Sequence, residues 1–534
     1  MAMRGSGVRV VGVSRRWGLG AALAAITATA CGPSPEAVKG ETKPASGTGS
    51  SATRASSNQR FKIGVSFEVQ SVSPYDNGYW LTSYGAGQSL YRVTPEDKVV
   101  PWIAQSITPD GQEGYTIKLD PKAKFHNGKP IDARMVQVSL VRHLEAGSAS
   151  VPSLKGAKWE IVDPVTLKVK TSQPDPWLPN YLSIAYMPIF DVDEVPEKEK
   201  LTPDVLNALV GKGFFSGPFK VTKLSPQEMT MDAVPDAWDG GPRLEGVDVK
   251  FIKDPQARLA ALKTGEIDMM LYVPADAVPQ VKQTSGLHFK ATPGTGRVWI
   301  QLNNARPPFN EQAVRQALAV AINRKQIAEN VLNGAYATPD SIYPSAMPWN
   351  VPGLLKTDLE AAKKLLDDAG WKAANDGIRA KEGKRLSFEL LHYPQQPDAK
   401  PMAEALQAQL KAVGMEVKLK QVDDINAALR SKDYDAGIRF NGMQQAANPT
   451  NVLNTYFRTD SPRNEGTWGS PELDRLIQQL NVDFDANRRN ELLKQVQEYF
   501  RREVPITFTV SRQWAVALND RFADYVPTHD VDHY

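Results

Sequence analysis

Gly114-Tyr115-Thr116-Ile117-Lys118-Leu119-Asp120-Pro121-Lys122-Ala123-Lys124-Phe125-His126-Asn127-Gly128-Lys129-Pro130-Ile131-Asp132-Ala133 reads as strand, turn and helix within a single short stretch. Tyr115, Ile117 and Leu119 alternate with Thr116 and Lys118, the period-two pattern of a strand with one buried face. Asn127-Gly128 is a tight-turn pair. Pro130 then reads as the start of a helix, where its missing N–H costs nothing. His126, beside the turn, reads as a hydrogen-bonding turn residue rather than a ligand to anything.

The same mixture continues on both sides. Phe61-Lys62-Ile63-Gly64-Val65-Ser66-Phe67, Thr166-Leu167-Lys168-Val169-Lys170 and Val247-Asp248-Val249-Lys250-Phe251-Ile252 alternate as strands. A helix is expected over 256–263, ended by Gly265, and another strand over Arg297-Val298-Trp299-Ile300-Gln301-Leu302-Asn303. Residues 311–332 carry Val314, Leu318, Ala321, Ile322 and Ile327 at helical spacing and predict one long helix closed by Gly334. Further helices are expected over 359–369, 402–413 and 487–502. Strands are expected at Met415-Glu416-Val417-Lys418-Leu419 and Ile506-Thr507-Phe508-Thr509-Val510. Mixed strands and helices of this kind define an α/β chain, and no internal repeat is visible.

The chain has 534 residues, with Lys+Arg 63 against Asp+Glu 60. That near balance offers no field for nucleic acid. The only cysteine is Cys31, so no disulfide within the chain is possible and the fold rests on buried apolar area. Upstream of it, Arg4, Arg9, Arg15 and Arg16 precede the apolar run Leu19-Gly20-Ala21-Ala22-Leu23-Ala24-Ala25-Ile26. This is the order of a secretory signal, too short to span a bilayer. Ser14-Arg15-Arg16-Trp17-Gly18-Leu19 leaves export by the twin-arginine route open beside the general one. Ala28-Thr29-Ala30-Cys31-Gly32 resembles the lipobox of bacterial lipoproteins, which implies a diacylglycerol on the Cys31 sulfur. Ordinary cleavage after Ala28-x-Ala30 is the alternative. Residues 1–30 are thus expected to be a signal peptide and 31–59, rich in Ser, Thr, Gly, Pro and Lys, a disordered tether.

The sequence carries no recognisable catalytic motif. There is no G-x-S-x-G elbow, H-E-x-x-H pair or phosphate-cradling G-x-x-x-x-G-K-[ST] loop, and no thiol after Cys31. Asp483-Phe484-Asp485-Ala486-Asn487 opens like a calcium loop but lacks its glycine and carries Lys494 where the bidentate acid belongs. It reads as a solvated helix start. Of the histidines (His126, His143, His288, His392, His529, His533) only the last two cluster, with Asp530 and Asp532 in a C-terminal tail, so no metal site and no cofactor are expected.

Several further segments stand in a recognisable order. Ser73-Pro74-Tyr75-Asp76 is followed by Leu90-Tyr91 and Val99-Val100-Pro101-Trp102-Ile103-Ala104-Gln105-Ser106, then by the strand–turn block. Ser216-Gly217-Pro218-Phe219, Ala257-Arg258-Leu259-Ala260-Ala261-Leu262-Lys263-Thr264-Gly265-Glu266-Ile267-Asp268 and Val314-Arg315-Gln316-Ala317-Leu318 to Ala321-Ile322-Asn323-Arg324 come after it. In this order they resemble family 5 of the bacterial extracellular solute-binding proteins, the receptors of ABC importers for peptides, nickel complexes and opines.

The resemblance implies a two-lobe periplasmic-binding-protein fold with a hinged cleft and an extra subdomain in the first lobe. The division expected is 60–300 for the first lobe, 301–500 for the second, and 501–534 for the return and tail. It implies an ABC permease and ATPase as partners, a monomer, attachment to the outer face of the cell membrane through the lipid, and no catalysis. An exported enzyme or a sensor is the competing class. The ligand expected first is a peptide or peptide-like solute, with a nickel or other metal chelate second.

Both familiar ligand anchors differ here. Aligned on Pro449, the aspartate that holds a peptide's ammonium in relatives falls on Gln445, and no arginine stands in Ser183-Ile184-Ala185-Tyr186-Met187-Pro188. A neutral, capped or amide-rich ligand follows from that. The cleft residues expected by analogy are Tyr75 and Trp80 on the first lobe and Met443, Gln444, Gln445 and Asn448 on the second. Arg439 is either a carboxylate anchor or half of a structural ion pair.

Overall fold

The computed structural model describes residues 59–527 apart from 95 and 150. The signal, Cys31, most of the tether, His529 and His533 lie outside the described residues.

The strand of the opening block runs Gly114–Leu119 and lies between Ala104–Pro109 and Thr166–Lys170, with Lys158–Asp163 outermost, in a four-stranded antiparallel sheet. Tyr115, Ile117 and Leu119 are buried on one face, as alternation requires. Gly128 takes φ +86°, the left-handed conformation that an Asn-Gly turn uses. Pro130, however, opens no helix. It bridges back to Lys124 across the turn, and the helix spans Ala133–Glu145, where the Asp132 carboxylate accepts from the Met135 N–H at 2.8 Å. An aspartate cap satisfies an orphan donor that a proline cannot, so it sets the boundary.

The helix expected over 311–332 is also divided. A first helix, Gln312–Ala321, ends where Ile322 turns extended (ψ 117°). Asn323 then caps a new turn by accepting from the Gln326 N–H, and a wider turn, Ile327–Val331, follows. Asn competes for backbone donors mid-helix, which splits an otherwise apolar stripe.

The large sheet has eleven strands. Along it lie Glu416–Gln421, Ser387–His392, Ala436–Gly442, Leu287–Leu302, Ile506–Asn519, Met269–Leu271, Arg60–Val65, Gly246–Phe251, Glu228–Ala233 and Phe219–Leu224, with Tyr336–Ala337 pairing at the side of Ile506–Asn519. Two strands are far longer than the alternation signals suggested. Leu287–Leu302 and Ile506–Asn519 run antiparallel through the middle and carry pairing to both ends of the sheet. We call them the crossing strands.

Their register shifts between Pro293 and Arg297, which stands opposite Ser511, and again between Arg297 and Trp299, leaving Gly294-Thr295-Gly296 as an irregular step. A Cβ on Gly296 would lie 3.1 Å from the Arg512 side chain, so glycine leaves room there for that arginine. The step is tied down from within by Arg297, whose buried guanidinium donates to the carbonyls of Gly294, Gly296 and Ile342. Burial lowers this guanidinium to about 10, against the opposing charges of Asp340 and Asp97.

Both sheet faces are covered. Trp299 packs in one buried cluster and Val298 and Ile300 in the other, the alternation of a strand buried on both sides. No helix among the described residues is long and apolar enough to cross a membrane.

Candidate functional site

A cleft of about 850 Å³ opens where the crossing strands step. Its floor is Gly294, Thr295 and Gly296 with Arg512, Gln513 and Trp514. One wall grows from the helix Pro74–Ser83. Ser73 starts it by accepting from the Asp76 N–H, and Tyr75, Gly78, Leu81 and Thr82 face inward. Gly78 allows that approach, since a Cβ there would meet Pro188 at 2.9 Å and the Tyr186 carbonyl at 3.2 Å. Trp80 lies about 140° round the helix from Tyr75 and so reaches the cleft while Tyr75 does not. Tyr75 instead packs edge-on against His143 and Phe190 and donates its hydroxyl to the Pro196 carbonyl at 2.9 Å.

Around Trp80 the wall is aromatic. Phe67 stacks on Trp80 at 5.1 Å and meets Tyr272 at 5.6 Å, Tyr272 meets Trp514 at 5.3 Å, and Tyr79 joins Trp80 to Tyr186. Phe67 and Tyr186 are 49% and 40% exposed, apolar area that a solute in the cleft would cover.

The opposite wall follows the strand Ala436–Gly442. Gln444, Gln445, Ala446 and Ala447 line it, joined by Asn451, Val452, Thr455 and Tyr456 of the helix Thr450–Tyr456. Gln445 and Asn448 close a two-residue turn through reciprocal backbone bonds of 3.0 and 2.8 Å. Its central residues, Ala446 and Ala447, have φ of 49° and 52°, a conformation costly for any side chain. The Gln445 side chain accepts from Asn451 at 3.1 Å. Gln444 is only 4% exposed; its amide nitrogen reaches the Met347 sulfur at 3.5 Å, while its Oε1 has no donor among the described residues.

Three expected residues sit behind this wall. Met443 is buried in the core, Asn448 accepts from the Thr450 N–H and hydroxyl, and Arg439 forms a buried ion pair with Glu465. Arg439 and Arg463 lie over the Tyr456 ring at 4.6 and 5.1 Å.

Trp80, Gln444 and Gln445 therefore share the cleft, whereas Tyr75, Met443, Asn448 and Arg439 stand outside its lining. Sequence reasoning missed the aromatic partners Phe67, Tyr79, Tyr186 and Tyr272, and the crossing-strand residues Arg512 and Trp514. No local signal marks them. They are brought together from a helix, loops and a crossing strand far apart in the chain.

The only charged residues of the lining are Asp76, Arg463 and Arg512. Burial works to raise the Asp76 carboxyl, but hydrogen bonds from Lys198 and Ser73 hold it below its ordinary value, and Lys198 pairs with it at 2.8 Å. Among the described residues no group of three or more His, Cys, Asp or Glu could hold a metal.

Residues 98–464 match the model of the bacterial extracellular solute-binding proteins, family 5. This chain belongs to that family. The nickel-binding protein NikA of Staphylococcus aureus is 26% identical over 484 residues, covering 89% of this chain and 92% of its own. The oligopeptide-binding protein OppA of Bacillus subtilis is 25% identical over 455 residues, covering 78% and 81%. Among solved structures, NikA from Brucella suis in complex with Fe(III)-EDTA superposes with a TM-score of 0.76 at 23% identity, covering 88% of this chain and 99% of that one. The two-lobe, mixed α/β fold is thus that of family 5 binding proteins. As a member of a family of binding proteins, this chain is read through its cleft, which carries wall aromatics, a buried amide acceptor and two arginines.

Proposed function

We propose that this family 5 protein is the solute receptor of an ABC importer and captures a peptide or peptide-like compound between its lobes. The observation that carries the ligand class is Gln444. A buried carbonyl acceptor without a donor costs roughly 1–3 kcal/mol, and a solute that brings an amide N–H removes that cost. The aromatic wall supplies apolar burial of any sequence, and relatives named for oligopeptides and dipeptides support the same class.

The two lobes are 60–300, containing the four-stranded sheet as the extra subdomain, and 301–500, with 501–534 returning to the first. Closure is a hinge motion at the Gly294-Thr295-Gly296 step, stabilised by a solute that touches both walls. The receptor catalyses nothing; its permease and ATPase carry out transport. A lipid on Cys31 holds it at the outer face of the membrane.

A metal chelate is the second reading, favoured by relatives named for nickel and by a structure with Fe(III)-EDTA. With no cluster of protein ligands among the described residues, the metal would arrive enclosed in its own chelator. Native mass spectrometry of receptor purified from its own host tests the choice. A retained peptide mass supports the first reading, and a metal-bearing mass overturns it. Gln445→Asp supplies the carboxylate that the family resemblance implies at this place and is expected to improve capture of free-amine peptides; unchanged affinity counts against that correspondence.

A further inference from the structure

Arg512 stands on the second crossing strand, in the cleft floor, half-buried. Among the described residues its guanidinium has neither a hydrogen bond nor a carboxylate within ion-pairing distance. Buried Arg297, paired on the partner strand with the neighbouring Ser511, has three carbonyls by contrast. The carboxylate that feels the Arg512 charge, Asp398, is already engaged by the Tyr336 hydroxyl at 3.0 Å and the Ala275 N–H at 3.3 Å. Arg463, on the second wall, rests on the face of Tyr456 and also lacks a carboxylate partner among the described residues. Asp76, the single acid of the lining, is neutralised by Lys198. The cleft thus presents two unpaired cations and no free anion.

When the lobes close on a solute, water leaves and an unpaired guanidinium becomes expensive. A solute anion removes that cost. We infer that Arg512, assisted by Arg463, is the anchor for a carboxylate of the ligand, and that this receptor selects solutes by their acid group. The anchor lies on the hinge strand itself, beside the glycine step that makes room for it. Binding there places the ligand's charge at the pivot of closure. This inference rests on the receptor reading above: Gln444 accepts the solute's N–H, and Arg512 takes its carboxylate.

The test uses the mature receptor, freed of bound solute, and its Arg512→Gln, Arg463→Gln and Arg512→Lys variants. The probes are a tryptic digest of casein before and after amidation of its carboxyl groups, read by mass spectrometry of the retained peptides. Ni(L-His)2 and Fe(III)-EDTA are titrated beside them by calorimetry. Because the Arg512 side chain, unlike its strand-paired backbone, makes no hydrogen bond or ion pair among the described residues, Arg512→Gln should unfold at the wild-type midpoint. The expected result is that the wild type retains acid-bearing solute, that amidation or Arg512→Gln weakens retention by about 10- to 100-fold, and that Arg512→Lys recovers part of it. Arg463→Gln should have the smaller effect, and one weakened by added salt. Equal retention of acid and amidated pools, or affinity that Arg512→Gln leaves unchanged, overturns the anchor while leaving the receptor reading intact. Failure of every probe to bind overturns the proposed ligand classes and the anchor with them.

Discussion

The Asn180 side-chain amide donates to the Ala446 carbonyl at 2.8 Å, joining two residues 266 positions apart. Ala446 is one of the two left-handed alanines of the cleft turn, so the bond reaches a strained stretch of the lining. Nearby, the Trp177 indole donates to the Leu480 carbonyl at 3.0 Å and lies under Arg489. With the chain divided as proposed, both bonds run from the first lobe to the second and act as a closing latch. Asn180→Ala removes one of them. Its expected effect is a roughly fivefold to tenfold weaker ligand affinity, about the worth of one hydrogen bond, carried by faster dissociation. Stopped-flow tryptophan fluorescence checks this, and an unchanged off-rate speaks against the latch.

The turn itself offers a second measurement. Alanine at φ 52° costs on the order of 1 kcal/mol, which glycine does not incur, although glycine adds unfolded-state entropy. Ala447→Gly is therefore expected to stabilise the protein by about 0.5 kcal/mol. Urea midpoints of the two proteins measure the difference.

Arg439 and Glu465 are buried together, 5% and 2% exposed; the pair is made through Glu465 Oε2, and Oε1 has no hydrogen-bond partner among the described residues. Arg439→Met leaves that carboxylate charged and alone, at an expected cost of about 3–5 kcal/mol. Arg439→Met with Glu465→Leu should recover most of the loss, because two apolar side chains need no counter-charge. If the double variant is no more stable than the single one, the pair is not what holds this wall.

Acid should loosen the packing of the helix Ala133–Glu145 through His143. Its ring is fully buried, its Nε2 lies 2.8 Å from the Pro188 carbonyl, and burial lowers it from 6.5 to about 4. Between those values the unfolded chain binds a proton that the native histidine refuses. The stabilising contribution is thus present above pH 6.5 and is lost as pH falls toward 4. At pH 5 this one group accounts for about 2 kcal/mol. His143→Leu should flatten the slope of stability between pH 7 and 5 relative to the wild type, as denaturant titrations at the two values would show.

Much of this protein was legible in the order of its residues. Period-two alternation located the strands at Tyr115, Leu167, Val249 and Val417, and the caps and glycines closed most of the helices, because these signals act within one or two turns of the chain. Pro130 and the 311–332 stretch misled because a neighbouring Asp132 or Asn323 offered a better local hydrogen bond. The family pattern likewise gave two lobes and a cleft. Which side chains enter that cleft was settled only by packing. Gly78 docks on Pro188 and thereby turns Trp80 outward and Tyr75 inward, while Glu465 takes Arg439 out of contention. Arg512 emerges only where the two crossing strands slip register. Such choices depend on contacts between segments hundreds of residues apart, and no local spacing encodes them.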